Sequence, residues 1–230
     1  MLTEIELLTN AETKEVYQTV HELKEKWIQR HPLLPFYTLG LASYIDVPQD
    51  KQGYYKEVKH HNSILRDRFG WLYDRLAEIL AEYLQAPITY PDNLALPGFH
   101  IFLSHPAFTH PVGSIHFDKS YMFHWQPSPE VDFNHPISFT LTINLPEHGG
   151  GLNVWDVQYE EAKKLSNLEL EKLASQRDKT FYPYQVGNLV MHSGYAVHQI
   201  APATKLQPND ERITLQGHGI KYQNCWQIHW

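Results

Sequence analysis

His116 and Asp118 flank Phe117, and far downstream stand a further histidine, His198, and then Arg212 with Thr214. Two histidines and one carboxylate are the set by which a protein grips a redox-active Fe(II) on one face, leaving other coordination positions open to a cosubstrate and to O2. The spacing has a physical reason. In an extended chain successive side chains alternate between faces, so His116 and Asp118 point one way while Ile115 and Phe117 pack the other. His198 lies in the β-prone stretch Tyr195-Ala-Val-His-Gln-Ile-Ala201, and a distant strand is where a barrel supplies a third ligand. The chemistry that such a set implies is oxygenation.

Because the chain carries 15 histidines, a His-x-Asp pair arises easily by chance, and the weight rests on concurrence. A strand-like setting, a second histidine after a turn and an Arg-x-Thr strand follow one another in the right order. His105, His110, His124, His135, His148, His192 and His229 have no such support and are expected to make ordinary surface or core hydrogen bonds. Arg212, Thr214, Gln216 and His218 share one face of a strand, which places His218 beside the same cavity with its role open.

The stretch Pro183-x-x-x-Gly187-Asn-Leu-Val-Met-His-Ser193, then His198-Gln-Ile-Ala-Pro202 and Arg212-Ile-Thr214, resembles the end of the double-stranded β-helix domain of Fe(II)/2-oxoglutarate-dependent dioxygenases. The Gly149-Gly-Gly-Leu152 turn after a strand at Phe139 to Leu145 fits the same domain, and the resemblance spans about residues 97–220. It implies that His116, Asp118 and His198 are the iron ligands and catalytic centre. It implies too that Arg212 pairs with the distal carboxylate of 2-oxoglutarate, with the Thr214 hydroxyl beside it. An enzyme of this kind uses O2, converts the cosubstrate to succinate and CO2, and oxidises a C–H bond of a second substrate. Related halogenases lack the carboxylate ligand, so Asp118 favours hydroxylation, while desaturation and ring closure run on the same ligands. A polar loop from Thr204 to Glu211 makes the interval between His198 and Arg212 somewhat long.

The elements that must position these residues are legible in part. Thr9-Asn-Ala-Glu12 has capping-box spacing, and Val16, Val20, Leu23 and Trp27 recur at helical intervals, which predicts a helix ending before Pro32. A second helix is predicted from about Asn62 to Gln85, with Leu65, Phe69, Leu72, Leu76, Ile79 and Tyr83 as its apolar stripe. Beyond Pro87 the chain turns β-prone, with strands predicted at about Gly98–Ser104, Ser114–Phe123, Ile137–Leu145, Leu152–Val157, Gln185–Met191, Val197–Ala201 and Arg212–Tyr222. Ser138, Thr140, Thr142 and Asn144 alternate with apolar neighbours, forming either a cavity wall or a solvated outer face; periodicity does not choose. A charged helical insertion at 158–180 reads as a solvated excursion or as a cover over the site.

The expected architecture is mainly β with flanking helices: a double-stranded β-helix, a jelly-roll or cupin-like barrel buttressed by N-terminal helices. One domain over 1–230 is expected, with helical support at 1–90 and the β-helix core at 97–222, a length that suits a single core. Net charge is −7 with only 19 Lys and Arg, which argues against the concentrated positive surface of a nucleic-acid binder. Cys225 is the one cysteine and makes no internal disulfide, the first residues lack a cationic signal start, and no apolar run reaches membrane-spanning length. The expectation is a cytoplasmic protein in a reducing compartment that suits Fe(II). The expected substrate is a small molecule, an amino acid or natural-product intermediate. A peptide or protein hydroxylase of the same superfamily and a non-catalytic cupin-like binder compete with it. A nucleic-acid demethylase is disfavoured by the acidic balance and by the absence of a further arginine after Arg212 in Arg212-Ile-Thr-Leu-Gln-Gly.

Overall fold

A computed structural model describes residues 2–230. The N-terminal part holds β1 (Thr3–Glu6), α1 (Asn10–Glu22), β2 (Ile28–Gln29), β3 (Phe36–Leu39), α2 (Ser43–Gln49), α3 (Lys51–Leu84) and β4 (Ile88–Thr89). There follow β5 (Gly98–Leu103), β6 (Val131–Asn144), β7 (Gly151–Trp155), α4 (Tyr159–Ala162) and α5 (Asn167–Ala174). The chain ends with β8 (Lys179–Pro183), β9 (Asn188–Ser193), β10 (Val197–Ile200), β11 (Glu211–Tyr222) and β12 (Cys225–His229).

Helix α1 begins where the sequence predicts, with the reciprocal Thr9 and Glu12 capping box formed. It stops at Glu22, short of Trp27, because the chain tightens into a 3-10 turn at Lys24–Lys26. Trp27 still binds back on the helix through its Nε1 to the Val20 carbonyl at 3.0 Å. The second helix is longer than predicted: Asp50 caps it, so Tyr54 and Tyr55 are helical, and it kinks at Phe69. Tyr83, assigned to the apolar stripe by its spacing, is exposed.

A nine-stranded, mostly antiparallel sheet runs β1-β9-β6-β11-β5-β3-β2, with β12 pairing both the far half of β11 and β4. One face of this sheet carries Phe99, Ile101, Phe139, Leu141, Ile143, Leu189, Met191, Ile213 and Leu215, which pack on Val16 and Val20 of α1 and on Leu65, Phe69, Leu72, Leu76 and Leu80 of α3. Burying that apolar surface is the main drive for the fold, at about 25 cal/mol per Å². The opposite face looks toward a smaller sheet, β10-β7-β8, and the two meet where Leu152 and Val154 pack with Val190 and Leu145.

The two facing, mostly antiparallel sheets are consistent with the expected jelly roll, but the expected barrel does not close: the sheets remain separate, and the isolated bridges His116 with His198 and Gly149 with Ala203 extend the side of the smaller sheet. The strand predicted at Ser114–Phe123 is also absent; that segment contributes the one bridge at His116 and then a 3-10 turn at Ser120–Phe123. Strand β12 was not predicted, because Cys225-Trp-Gln-Ile-His229 is too short to declare a period by itself.

Candidate metal and cosubstrate site

The face of β6 that periodicity left undecided is the inner one. Ser138, Thr140 and Thr142 are buried, and their partners across the ladder are His218, Gln216 and Thr214 of β11, with Arg212 two residues before Thr214 on that strand and His100 of β5 beyond. The wall between the sheets is therefore lined with hydroxyls, imidazoles and one guanidinium, while the same strands present leucine and isoleucine to the helices.

Facing this wall from the side of the smaller sheet, one ligand atom from each of His116, Asp118 and His198 comes within 4.8 Å of the others. The two Asp118 carboxylate oxygens lie 3.6 Å from His116 Nε2 and 3.6 Å from His198 Nε2. Backbone bonding holds the claw together: His116 and His198 exchange N–H···O=C bonds of 3.0 and 2.8 Å, and the Asp118 N–H donates to the Gly194 carbonyl at 2.8 Å. Each histidine donates its Nδ1–H to a backbone carbonyl, His116 to Ser114 at 2.8 Å and His198 to Ala196 at 2.9 Å. That bond fixes the tautomer and leaves the Nε2 lone pair facing Asp118, as a metal-binding imidazole requires.

Burial lowers His198 to about 3, with Asp118 opposing, so its ring is neutral and free to coordinate. For Asp118 burial acts upward, but the surrounding imidazoles of His198, His218, His116 and His192 outweigh it and hold the carboxyl well below the usual range. The side chains of His198 and Asp118 are 9% and 15% exposed and that of His116 is 45% exposed, so the centre opens to solvent on the His116 side.

Arg212 stands on the wall that the claw faces. It is buried without a carboxylate partner: Nη1 donates to the Ala201 carbonyl and Nη2 to the Gly151 carbonyl, both at 3.2 Å, and the guanidinium lies over the Tyr184 ring. Its Nε has no partner, and neither have the hydroxyls of Thr142 and Thr214, which face each other across the β6–β11 ladder. Burial lowers Arg212 to about 10, so it stays charged at neutral pH. The Gly151 carbonyl reaches Arg212 because the Gly149–Gly151 turn has positive φ throughout; a Cβ on Gly151 would lie 2.3 Å from the Tyr182 carbonyl. A buried cation with three unpartnered polar atoms around it fits a dicarboxylate anchored by its far end. Arg177, a second arginine of this half, pairs instead with Glu161 near the surface.

His218 lies within this cavity, its Nδ1 3.9 Å from Asp118 and 3.1 Å from the Ser138 hydroxyl. His192 is buried beside His198, with its Nδ1–H bonded to the Ser193 carbonyl, as an ordinary core histidine. His124 and His135 also bond as expected, whereas His229 is fully buried with neither ring nitrogen in a hydrogen bond. Spacing did not single out Thr142, His100 or His229; the signal for Thr142 was its place in the alternating polar row. The helical insertion packs Ala162 and Leu170 with Phe117, Val157 and Val197, on the reverse of the segments that carry the ligands. Its apolar contacts are those of a buttress.

Comparison with solved structures finds the same fold in an N-substituted L-amino acid dioxygenase from Burkholderia ambifaria AMMD, with 13% identity and a TM-score of 0.61 over 100% of this chain and 86% of that one. The non-haem alpha-ketoglutarate-dependent carbocyclase SnoK from nogalamycin biosynthesis is similar at 14% identity and a TM-score of 0.56, covering 97% of this chain and 79% of that one. AviO1 from Streptomyces viridochromogenes Tue57 follows at 11% identity and 0.51, covering 96% and 89%. No family model matches the sequence, and no curated protein does. The fold is thus that of structures solved for alpha-ketoglutarate (2-oxoglutarate) oxygenases.

Proposed function

We propose that this protein is an Fe(II)- and 2-oxoglutarate-dependent oxygenase that hydroxylates an unactivated C–H bond of a small molecule. One conjunction carries the reading: a His116, Asp118 and His198 claw with ligand atoms within 4.8 Å, opposite a wall that holds a buried arginine with no carboxylate partner among the described residues. An isolated buried charge is costly, and it persists where a ligand supplies the counterion. The fold supports the reading, since its neighbours include a dioxygenase solved in complex with alpha-ketoglutarate.

His116, Asp118 and His198 would hold the iron, and Arg212 with Thr214 and Thr142 the distal carboxylate of 2-oxoglutarate. Iron and cosubstrate, when bound, supply with O2 an oxidant strong enough to take hydrogen from carbon, leaving succinate and CO2. The chain's own part is positioning. The anchored Nδ1 atoms aim both imidazoles, the Arg212 fork fixes one end of the dicarboxylate, and the apolar residues behind Phe117 keep the claw from splaying. A plain metal or small-molecule binder has no use for the unmatched Arg212.

Anaerobic reconstitution tests the proposal. Fe(II) with 2-oxoglutarate should give a visible charge-transfer band that neither gives alone, and O2 should then release succinate, faster with the right substrate. Absence of the band in folded protein at saturating concentrations refutes the cosubstrate assignment. Stimulation of succinate release only by peptides or folded proteins would move the reading to a protein hydroxylase.

A further inference from the structure

The three residues of the claw are not equally anchored. Each imidazole has its Nδ1–H on a backbone carbonyl, whereas the Asp118 carboxylate makes no hydrogen bond among the described residues, its near neighbours standing 3.6 to 3.9 Å away. Its backbone is irregular too: the Asp118 N–H rests on the Gly194 carbonyl, and the 3-10 turn at Ser120–Phe123 follows. A carboxylate with free side-chain torsions loses more entropy on meeting a metal than one already held, so such a ligand gains from a donor on its second oxygen.

His218 stands where that donor belongs. Oδ1 of Asp118 lies 3.6 Å from His116 Nε2, while Oδ2 lies 3.6 Å from His198 Nε2 and 3.9 Å from His218 Nδ1, so a third imidazole meets only one of the two oxygens. The His218 backbone is fixed on both sides, as the ladder partner of Ser138 on β6 and of His229 on β12. Its side chain is 12% exposed, and Nδ1 lies 3.1 Å from the Ser138 hydroxyl. A rigid strand thus holds the ring while the carboxylate on the irregular segment is free to come to it. Closing 3.9 Å to hydrogen-bond length takes a movement of roughly 1 Å. The other polar groups around the carboxylate are committed elsewhere. His192 gives its Nδ1–H to the Ser193 carbonyl, the Lys119 ammonium lies over the Phe117 ring, the Tyr44 hydroxyl is bonded with His100, and Arg212 stands farther back along β11 with both Nη atoms on carbonyls.

We propose that His218 is a positioning residue of the metal centre: its Nδ1–H holds Asp118 Oδ2, which aims Oδ1 at the metal and completes the outer anchoring that the two ligand histidines already have. This rests on the reading of His116, Asp118 and His198 as the metal ligands and adds no ligand to them. A fourth protein ligand and a purely structural histidine are the competing outcomes.

The test separates the two ring nitrogens. The amide nitrogen of Asn sits as many bonds from Cβ as Nδ1 does, and that of Gln as many as Nε2, so His218→Asn keeps a donor in the proposed place and His218→Gln moves it away. Co(II) is titrated into the unsubstituted protein, His218→Asn, His218→Gln and His218→Leu, following its visible absorption, with urea unfolding of each metal-free protein alongside. His218→Gln and His218→Leu are expected to weaken Co(II) binding about 10- to 100-fold, the cost of losing an outer-shell partner, and His218→Asn to keep most of the parent affinity. Equal Co(II) affinity in the Asn and Gln variants overturns the proposal, and that comparison stands whether or not His218→Leu folds. A loss in His218→Leu as large as that in His198→Ala makes His218 a ligand and overturns it as well. Fe(II) with 2-oxoglutarate is then added to the same proteins. A charge-transfer band in the parent with unaltered Co(II) affinity in the variants sinks the His218 assignment and leaves the oxygenase reading standing. The expected variant effects with no band in the parent do the reverse, and a parent that binds no Co(II) sinks both.

Discussion

The two faces of the nine-stranded sheet are made by the same strands and do opposite things. On β6 and β11 the residues Phe139, Leu141, Ile143, Ile213 and Leu215 close against α1 and α3, and their alternates Thr140, Thr142, Arg212, Thr214 and His218 face the cavity. The helix face is satisfied by its own packing. The cavity face leaves Thr142, Thr214 and Arg212 Nε buried without partners, an arrangement that costs stability and that the proposed cosubstrate would relieve. The proposed function is concentrated where internal pairing is left incomplete. Substitutions on the two faces should therefore separate activity from stability.

The largest effect is expected at the claw. His198→Ala and Asp118→Ala should abolish turnover and weaken Fe(II) binding by more than the roughly 100-fold that loss of an outer-shell partner costs, while circular dichroism stays native. Metal analysis after anaerobic loading checks this; full iron content in both variants would break the assignment. Next comes Arg212→Leu, which leaves the cosubstrate carboxylate without its cation, a loss of roughly 3 to 5 kcal/mol in 2-oxoglutarate affinity. Because Arg212 is unmatched in the chain itself, urea unfolding without ligand should show the variant no less stable than the parent. A large destabilisation there would mean that the guanidinium is structural.

Leu141→Ala probes the other face. It should cost about 2 to 5 kcal/mol in unfolding free energy and leave the 2-oxoglutarate affinity of the folded fraction unaltered. A smaller effect comes from His100, which burial lowers to about 3 and whose Nε2 is hydrogen-bonded with the Tyr44 hydroxyl. Its folded value lies below the ordinary 6.5, so the unfolded chain binds a proton that the folded one refuses. Stability from this residue is complete above about pH 6.5 and falls as the pH drops toward 3, by roughly 2 kcal/mol at pH 5. Unfolding at pH 7 and pH 5 should show at least that loss, since His198 is lowered by burial too, and His100→Phe should reduce it by the His100 share. The smallest effect is that of Thr142→Val, which removes one hydroxyl and keeps the shape. It should weaken 2-oxoglutarate by about 1 kcal/mol, close to fivefold, with iron binding unaffected.

The sequence alone determined whatever depends on neighbours along the chain. The Thr9 capping box, the apolar stripe of α3, the alternation in Ile137 to Leu145 and the opposed directions of Phe117 and its flanking His116 and Asp118 follow from backbone periods that a short stretch declares for itself. Residue chemistry then limited what two imidazoles, a carboxylate and an Arg-x-Thr strand can hold. Only the tertiary structure decided which face of β6 turns inward, since an alternating strand reads the same from either side until something packs on it. It also showed that the sheets stay open, that Tyr54 and Tyr55 belong to a helix, and that the 158–180 insertion packs behind the ligands. The unpaired ring nitrogens of His229 had no sequence signal, because a missing hydrogen-bond partner is a property of everything folded around a group. Burial and pairing are sums over distant segments, and the solitude of Arg212, on which the cosubstrate reading depends, became visible only when the whole chain had been placed around it.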